Sequence, residues 1–371
     1  MAAKRPVLAV AVAGTVVIIG VFVLRSNRSD NPVVTRAGGP GPAVPATVPA
    51  APIGPAQGGA AADPTLVSAG HPTPDAPRPA QIAAIEGGLV VLLDSADGHR
   101  QRTLATHPEA ATGGFPYLEG VSLTPDRSTV FYARAGDCGP ATIFKVAADG
   151  RTPPATFADG VSPAVSPDGR KLAYAVAAPE SDWGPGTGAT RHCQNAIAVR
   201  DLQSGAERTW RYPDTPEYGT TLYHDAVVSE IAWAPDSTRL AYTLSYEGDS
   251  VSILDTAADT DLSQTEEVVI PSGGGNSSHP TWQAYSGLLG LFNTRFECCF
   301  DDNYTGPPRA LLVNPERRLD APLLPAGRRV TALDFDASGT HLLFVDGGRL
   351  YRRSGSQAPV GLVSGVTAAD W

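Results

Sequence analysis

The chain is 371 residues long and acidic, with 28 Lys plus Arg against 38 Asp plus Glu and a formal net charge of −10. Five basic residues (Lys4, Arg5, Arg25, Arg28, Arg36) and one acid (Asp30) precede Ala37, so the remainder carries 23 basic and 37 acidic residues, a net of −14. Such a body repels a phosphate backbone, and no basic stripe with interleaved aromatics offsets it, which sets nucleic-acid binding aside.

Lysine occurs only at Lys4, Lys145 and Lys171 amid abundant Ala, Pro and Arg, the compositional mark of a high-GC genome such as an actinobacterium's. In chain order, residues 6–24 (PVLAVAVAGTVVIIGVFVL) form an uncharged apolar run behind Lys4 and Arg5. At about 1.5 Å per residue it nearly spans a hydrocarbon core of about 30 Å. A cleaved signal peptide is the rival reading, but its apolar region usually runs only about 7–15 residues and ends at a small-x-small site, which is not seen here. Residues 1–28 are therefore read as a cytoplasmic tail and an uncleaved transmembrane anchor. Arg25, Arg28 and Arg36 leave the positive-inside comparison nearly balanced. Residues 29–80 shift to Pro, Ala and Gly and could form no core, so a disordered, semi-extended tether is expected.

A short phrase then recurs, clearest at residues 166–174 (SPDGRKLAY). Copies stand at residues 123–133 (LTPDRSTVFYA), 165–175 (VSPDGRKLAYA), 233–243 (WAPDSTRLAYT), 282–293 (WQAYSGLLGLFN) and 335–345 (FDASGTHLLFV). In each, an apolar residue ends one strand, a small polar turn follows, and apolar alternation begins the next strand. Second hairpins are expected at 142–149 with 151–157, 196–201 with 207–212, and 251–255 with 266–270. Two hairpins make a four-stranded sheet, and repetition at roughly 40–50 residues marks propeller blades. Residues 81–106 read as three outer strands lacking an innermost one, while 366–371 is an innermost strand without a blade. Joining them predicts an all-β, six-bladed β-propeller over residues 81–371, closed by the C-terminal strand; an open β-sandwich is the alternative. Trp233, Trp282 and Trp371 share one inner-strand position and are expected in the core between blades.

The phrase, its phasing and the blade count resemble the propeller domain of TolB and the wider group of TolB-like, WD-repeat-like bacterial propellers. The likeness covers residues 118–371 and weakens around Trp282, where Ala284-Tyr285-Ser286-Gly287 replaces the Pro-Asp-Gly turn. That family's separate amino-terminal α/β domain has no counterpart, since the anchor and tether occupy its place. The resemblance implies a fold and a binding role, and it carries over no catalytic residue.

Four cysteines, Cys138, Cys193, Cys298 and Cys299, fall in connections between the second and third strands of their blades, which emerge on one face with the links between blades. Four thiols allow three pairings. Cys138–Cys193 joins neighbouring blades and is the favoured bridge; bridges from Cys193 to the Cys298–Cys299 pair are the rival, and four free thiols would suit a cytoplasmic propeller. The longest insertions, residues 178–195, 212–227 and 293–308, lie on that face and carry Trp183, Tyr218, Tyr223 and Tyr304 with Glu217, Asp225, Asp301 and Asp302. Aromatics on long loops over a rigid scaffold suit recognition of a protein, peptide or glycan, although such side chains also pack their own loops. Trp183, Tyr218, Tyr223, Asp225 and Tyr304 are the candidate binding residues.

His192, Cys193, His224, His279, Cys298 and Cys299 have zinc-compatible chemistry but no C-x-x-C or H-x-x-x-H spacing, and Asp301-Asp302-Asn303 is an ordinary polar turn as readily as a calcium ligand set. No metal or other cofactor is expected. No G-x-S-x-G elbow, H-E-x-x-H, Walker loop or dinucleotide fingerprint is present. The expectation is a non-enzymatic, monomeric, membrane-anchored propeller on the extracytoplasmic side of the cell envelope, with a small-molecule hydrolase or lyase at the central channel as the alternative.

Overall fold

In the computed structural model the repeated phrases are tight turns between antiparallel strands, and their chemistry is local. Gly169 N donates to Ser166 O at 2.8 Å, while the Asp168 carboxylate accepts from Arg170 N at 3.0 Å and from the Ser166 hydroxyl at 2.6 Å. The same backbone bond closes the turns from Thr124 to Arg127, Ala234 to Ser237 and Asp336 to Gly339. Its donor residue is left-handed each time, with φ of 70° at Gly169 and Gly339, 61° at Arg127 and 57° at Ser237. In the divergent copy the left-handed residue is Gly287, which bonds back to Gln283 O at 3.0 Å. The turn is thus displaced by one residue, which is why the phrase fades there.

The structure describes residues 76–107, 117–135, 141–177, 194–212, 227–245, 248–270, 275–294 and 307–371. The first blade contains β1 (Gln81–Glu86), β2 (Leu89–Asp94) and β3 (Arg100–Thr106). The second is β4 (Tyr117–Leu123), β5 (Thr129–Ala135), β6 (Thr142–Ala147) and β7 (Ala155–Asp159). The third is β8 (Val161–Val165), β9 (Lys171–Val176), β10 (Ala196–Asp201) and β11 (Glu207–Arg211). The fourth is β12 (Val227–Trp233), β13 (Arg239–Ser245), β14 (Asp249–Asp255) and β15 (Glu266–Glu267). The fifth is β16 (Asn276–Gln283), β17 (Leu288–Thr294), β18 (Arg309–Asn314) and β19 (Leu319–Pro322). The sixth is β20 (Val330–Phe335), β21 (His341–Asp346), β22 (Arg349–Ser354) and β23 (Val360–Ser364).

The last strand, β24 (Val366–Asp370), completes the first blade: it pairs antiparallel with β1, Ala83 opposite Asp370 and Ile85 opposite Ala368. The sheet orders are β24-β1-β2-β3 and five further four-stranded sheets. Inner strands β24, β4, β8, β12, β16 and β20 touch one another in a closed cycle. The chain is a six-bladed propeller closed by its C-terminal strand.

Second strands are buried along consecutive residues rather than on alternate ones. Leu172, Ala173, Tyr174 and Ala175 are all buried, because a neighbouring blade covers each face of the sheet. The outer β3 exposes its first four residues to solvent. Trp233, Trp282 and Trp371 are buried at equivalent inner positions. Trp233 Nε1 donates to Ala164 O of the preceding blade at 2.9 Å.

Between β7 and β8, Gly160 has φ of 145°, and a Cβ there would lie 2.6 Å from Ala175 O and 2.8 Å from the Tyr174 ring. Backbone would have to shift. Gly160→Ala is expected to lower stability by about 1–3 kcal/mol, read as a reduced denaturation midpoint.

Because strands alternate in direction, the turns closing first and third hairpin pairs lie at one end of the ring. Second-to-third connections and the links between blades lie at the other. Residues 136–140, 178–193 and 295–306 join second to third strands, and 213–226 links the third blade to the fourth. The strand ends that these segments join lie at one end of the ring. At the opposite end, residues 76–80 run onto the propeller: the His341 ring Nε2 lies 3.1 Å from Ala76 O, and Arg78 Nε donates to Ser95 Oγ at 3.0 Å. Among the described residues no helix is long and apolar enough to cross a membrane, and the expected span at residues 6–24 lies outside them.

Candidate functional site

Every inner strand carries an irregularity in its pairing, between Glu119 and Val121, Val161 and Ala164, Ser229 and Ala232, and Ser278 and Thr281 in the second to fifth blades. Such bulges re-aim side chains. At four of them a residue sits in the left-handed region: Gly120 (φ 69°), Ser162 (51°), Glu230 (51°) and His279 (53°). Three of the four are not glycine, and their side chains reach a neighbouring inner strand.

They form a chain of contacts toward the end of the ring where the long connections leave. The Ser162 hydroxyl donates to Glu119 Oε1 and accepts from Glu230 N, both at 3.3 Å. Glu230 Oε2 accepts from His279 N and from the Thr243 hydroxyl, both at 2.8 Å. His279 Nδ1 meets Glu230 Oε1 at 2.5 Å. Side chains of the third and fourth blades, Ser162 and Glu230, thus each accept a backbone N–H from the next blade. Removal from bulk water favours the neutral form of both acids, yet they diverge. Burial and the neighbouring Glu230 charge push Glu119 up, against hydrogen bonds from Ser162 and Tyr117. For Glu230 burial also pushes upward, but the His279 charge, the His279 ring and backbone donors and Thr243 together hold the carboxylate below its ordinary value.

A second tier stands one residue before the inner-strand apolar position, at the turn end. Ser122 Oγ accepts from Val165 N at 3.0 Å, Thr281 Oγ1 from Phe335 N at 2.9 Å, Asp334 Oδ2 from Trp371 N at 3.0 Å and Asp370 Oδ2 from Leu123 N at 2.5 Å. Four of six seams are closed this way; the other two offer Ala164 and Ala232 at the equivalent place.

Trp183, Tyr218, Tyr223, Asp225 and Tyr304 lie outside the described residues, as do Cys138, Cys193, Cys298 and Cys299. Of the zinc-compatible residues only His279 is described, and its close partner is Glu230. Among the described residues no group of three His, Cys, Asp or Glu is arranged to hold a metal. Sequence reasoning missed Glu119, Glu230, Asp334 and Asp370. A signal existed: Glu230 and His279 each stand three residues before an inner-strand tryptophan, and Thr281, Asp334 and Asp370 one residue before an aromatic.

Among solved structures, the chain superposes on TolB from Acinetobacter baumannii with a TM-score of 0.51 at 13% identity, covering 78% of this chain and 65% of that one. The fold is that of a TolB-like propeller. A putative TolB from Agrobacterium tumefaciens aligns at TM-score 0.45 and 13% identity over 67% of this chain and 82% of its own. A puromycin-hydrolyzing peptidase of Mycobacterium tuberculosis aligns at 0.44 and 17% over 75% of this chain and 42% of its own. This chain thus spans just under two thirds of the Acinetobacter protein. No protein-family model and no curated protein matches the sequence.

Proposed function

We propose that this chain is a binding propeller of the cell envelope, held by its apolar residues 6–24 with the propeller on the extracytoplasmic side, which recognises a protein or peptide partner through its long-connection face. Recognition rather than catalysis is its task. One observation carries the reading: strand direction sends the long connections to a single end of the ring. The segments leaving there, residues 108–116, 136–140, 178–193, 213–226, 246–247, 271–274, 295–306 and 323–329, hold eleven acids and four bases (Arg191, Arg295, Arg328 and Arg329). Their net of −7 (4 minus 11) is half of the −14 carried beyond residue 36, and it suits a partner bearing positive charge. Trp183, Tyr218, Tyr223 and Tyr304 supply contact area among those charges.

Photo-crosslinkers placed at Tyr223 and Tyr304 in the full-length chain, in intact cells, should capture one partner. Capture should disappear when residues 213–226 are replaced by a short Gly-Ser loop and should weaken as salt rises. Capture that survives loop replacement would sink the reading. Thiols blocked before cell breakage and mapped without reduction test the placement in the same cells, since an exported propeller should show Cys138 and Cys193 joined.

A second reading rests on the Glu230–His279 pair. A carboxylate that holds Nδ1 fixes the imidazole orientation, as a general base in a small-molecule hydrolase or lyase requires. Turnover abolished by His279→Gln with unchanged folding would move the assignment there.

A further inference from the structure

The outer strands β3, β7, β11, β15, β19 and β23 are the edges of the six sheets, and each presents a row of backbone groups that no further strand covers. Five of them contain charged residues, the usual guard against pairing with another chain, whereas β23 (VGLVS) contains none. β15 is the shortest of them at two residues and pairs with β14 at Ser252 and Ile253. Val269, just past β15, and Val360, which opens β23, are the two exposed large apolar side chains among the described residues, 46% and 47% open.

Charge marks the same two edges with opposite sign. The hairpin of β14 and β15, residues 249–270, holds six acids and no base, while that of β22 and β23, residues 349–364, holds three bases and no acid. The corresponding hairpins of the other blades, residues 89–106, 142–159, 196–211 and 309–322, mix both signs and come within one charge of balance. Arg349 is exposed, and among the described residues no acid pairs with it. Its guanidinium lies 5.7 Å from the Tyr351 ring centre and rests on β23 at Gly361, where a Cβ would meet Arg349 Nε and Nη2 at 2.8 Å.

We propose that these edges are the complementary halves of a contact between copies of this chain, the β14–β15 hairpin of one propeller against the β22–β23 hairpin of the next, in place of the monomer expected from the sequence. Strand direction gives the register. β15 and β23 both run from the turn end of the ring to the long-connection end, so Val269 and Arg349 lie toward the long-connection end, and Val360, Asp259 and Asp261 toward the turn end. An antiparallel approach therefore sets Val269 beside Val360 and Arg349 beside Asp259 and Asp261. Copies in the same orientation would lay Arg349 beside Val269 and lose both matches. Asp259 touches Arg208 of its own chain at 3.3 Å, yet its side chain stays fully open to solvent. The fourth and sixth blades are different surfaces, so the contact is heterologous and leaves each copy a second edge.

A contact between two hairpin edges is small and weak in dilute solution, so capture in cells is the readout. A photo-crosslinker at Val360 of the full-length chain, in intact cells, should join two copies, with the product mapped by mass spectrometry to residues 249–270 of the second. Arg349→Asp should abolish that product, as should Asp259→Arg, and the two reversals in one chain should restore it because opposite charges meet again. A crosslink to another protein, to a different part of a second copy, or to nothing overturns the proposal, and the parent chain decides this without any variant. Persistence of the product in Arg349→Asp, a change at an exposed site, overturns it as well. So does a doubly reversed chain that melts with the parent and yields no product.

Discussion

A chain ending at Asp370 melts well below the intact chain, with a loss of about 3–5 kcal/mol, the range for removing a large buried aromatic. For a propeller of this size that is roughly a 10 °C fall in Tm. Trp371 is only 7% exposed and packs with Ile82, Ala84, Val91 and Leu93 of the first blade and Leu343, Val345 and Leu350 of the sixth. Its backbone N–H and its indole N–H both go to Asp334, at 3.0 and 3.3 Å. Deletion therefore empties a cavity between the first and last blades, strands an acceptor, and leaves a new α-carboxylate beside the part-buried Asp334 and Asp370 carboxyls. Trp371→Phe keeps most of the volume and loses only the indole bond, so it should cost about 1–2 kcal/mol. Thermal melts of the three chains provide the check. Equal midpoints for the intact and shortened chains would show that the last residue does not hold the ring closed.

The fold was legible in the sequence because its punctuation is local. A turn such as Ser166 to Gly169 needs Pro, Asp and Gly within four residues, so each blade writes its own label. Ring closure was legible because 366–371 matches the strand that the first blade lacks. The site was not legible in the same way. Glu230 and His279 are 49 residues apart, Ser162 and Glu230 are 68 apart, and Leu123 and Asp370 are 247 apart. Only the closed ring brings them together, and no short pattern encodes contacts of that separation. The bulges were hidden for a second reason: Ser162, Glu230 and His279 adopt left-handed backbone without glycine, so the usual mark of that conformation is missing. The turn at Arg127 and Ser237 shows the same departure, but there the neighbouring Pro-Asp pair still announces it.

The two tiers of the inner strands respond to pH with opposite sign, and this carries the other large effect. Glu230→Ala removes the acceptor for His279 N and for Thr243, and the partner of His279 Nδ1, at a site where 31% of the Glu230 side chain remains open to water. The expected loss is about 2–4 kcal/mol, below the full range for breaking a buried pair because of that opening. Glu230 has a folded value held below its ordinary 4.5, so its contribution is present above 4.5 and is lost as acid reaches the folded value. Asp334 and Asp370 do the reverse: burial raises both, Asp334 well above its ordinary value and Asp370 to about 6, so their contribution fades as pH rises toward those values. Glu119, also raised, adds to that second limb. The raised acids begin to lose their contribution above 3.8 while that of Glu230 is complete only above 4.5, so melting temperature against pH should pass through a maximum at about 4 and fall as pH rises toward 6. Glu230→Gln should remove the acid limb and leave the other, while Asp334→Asn should do the opposite. A profile whose two limbs move together in either variant would mean that the tiers are not independent clasps, because residues without shared partners act additively.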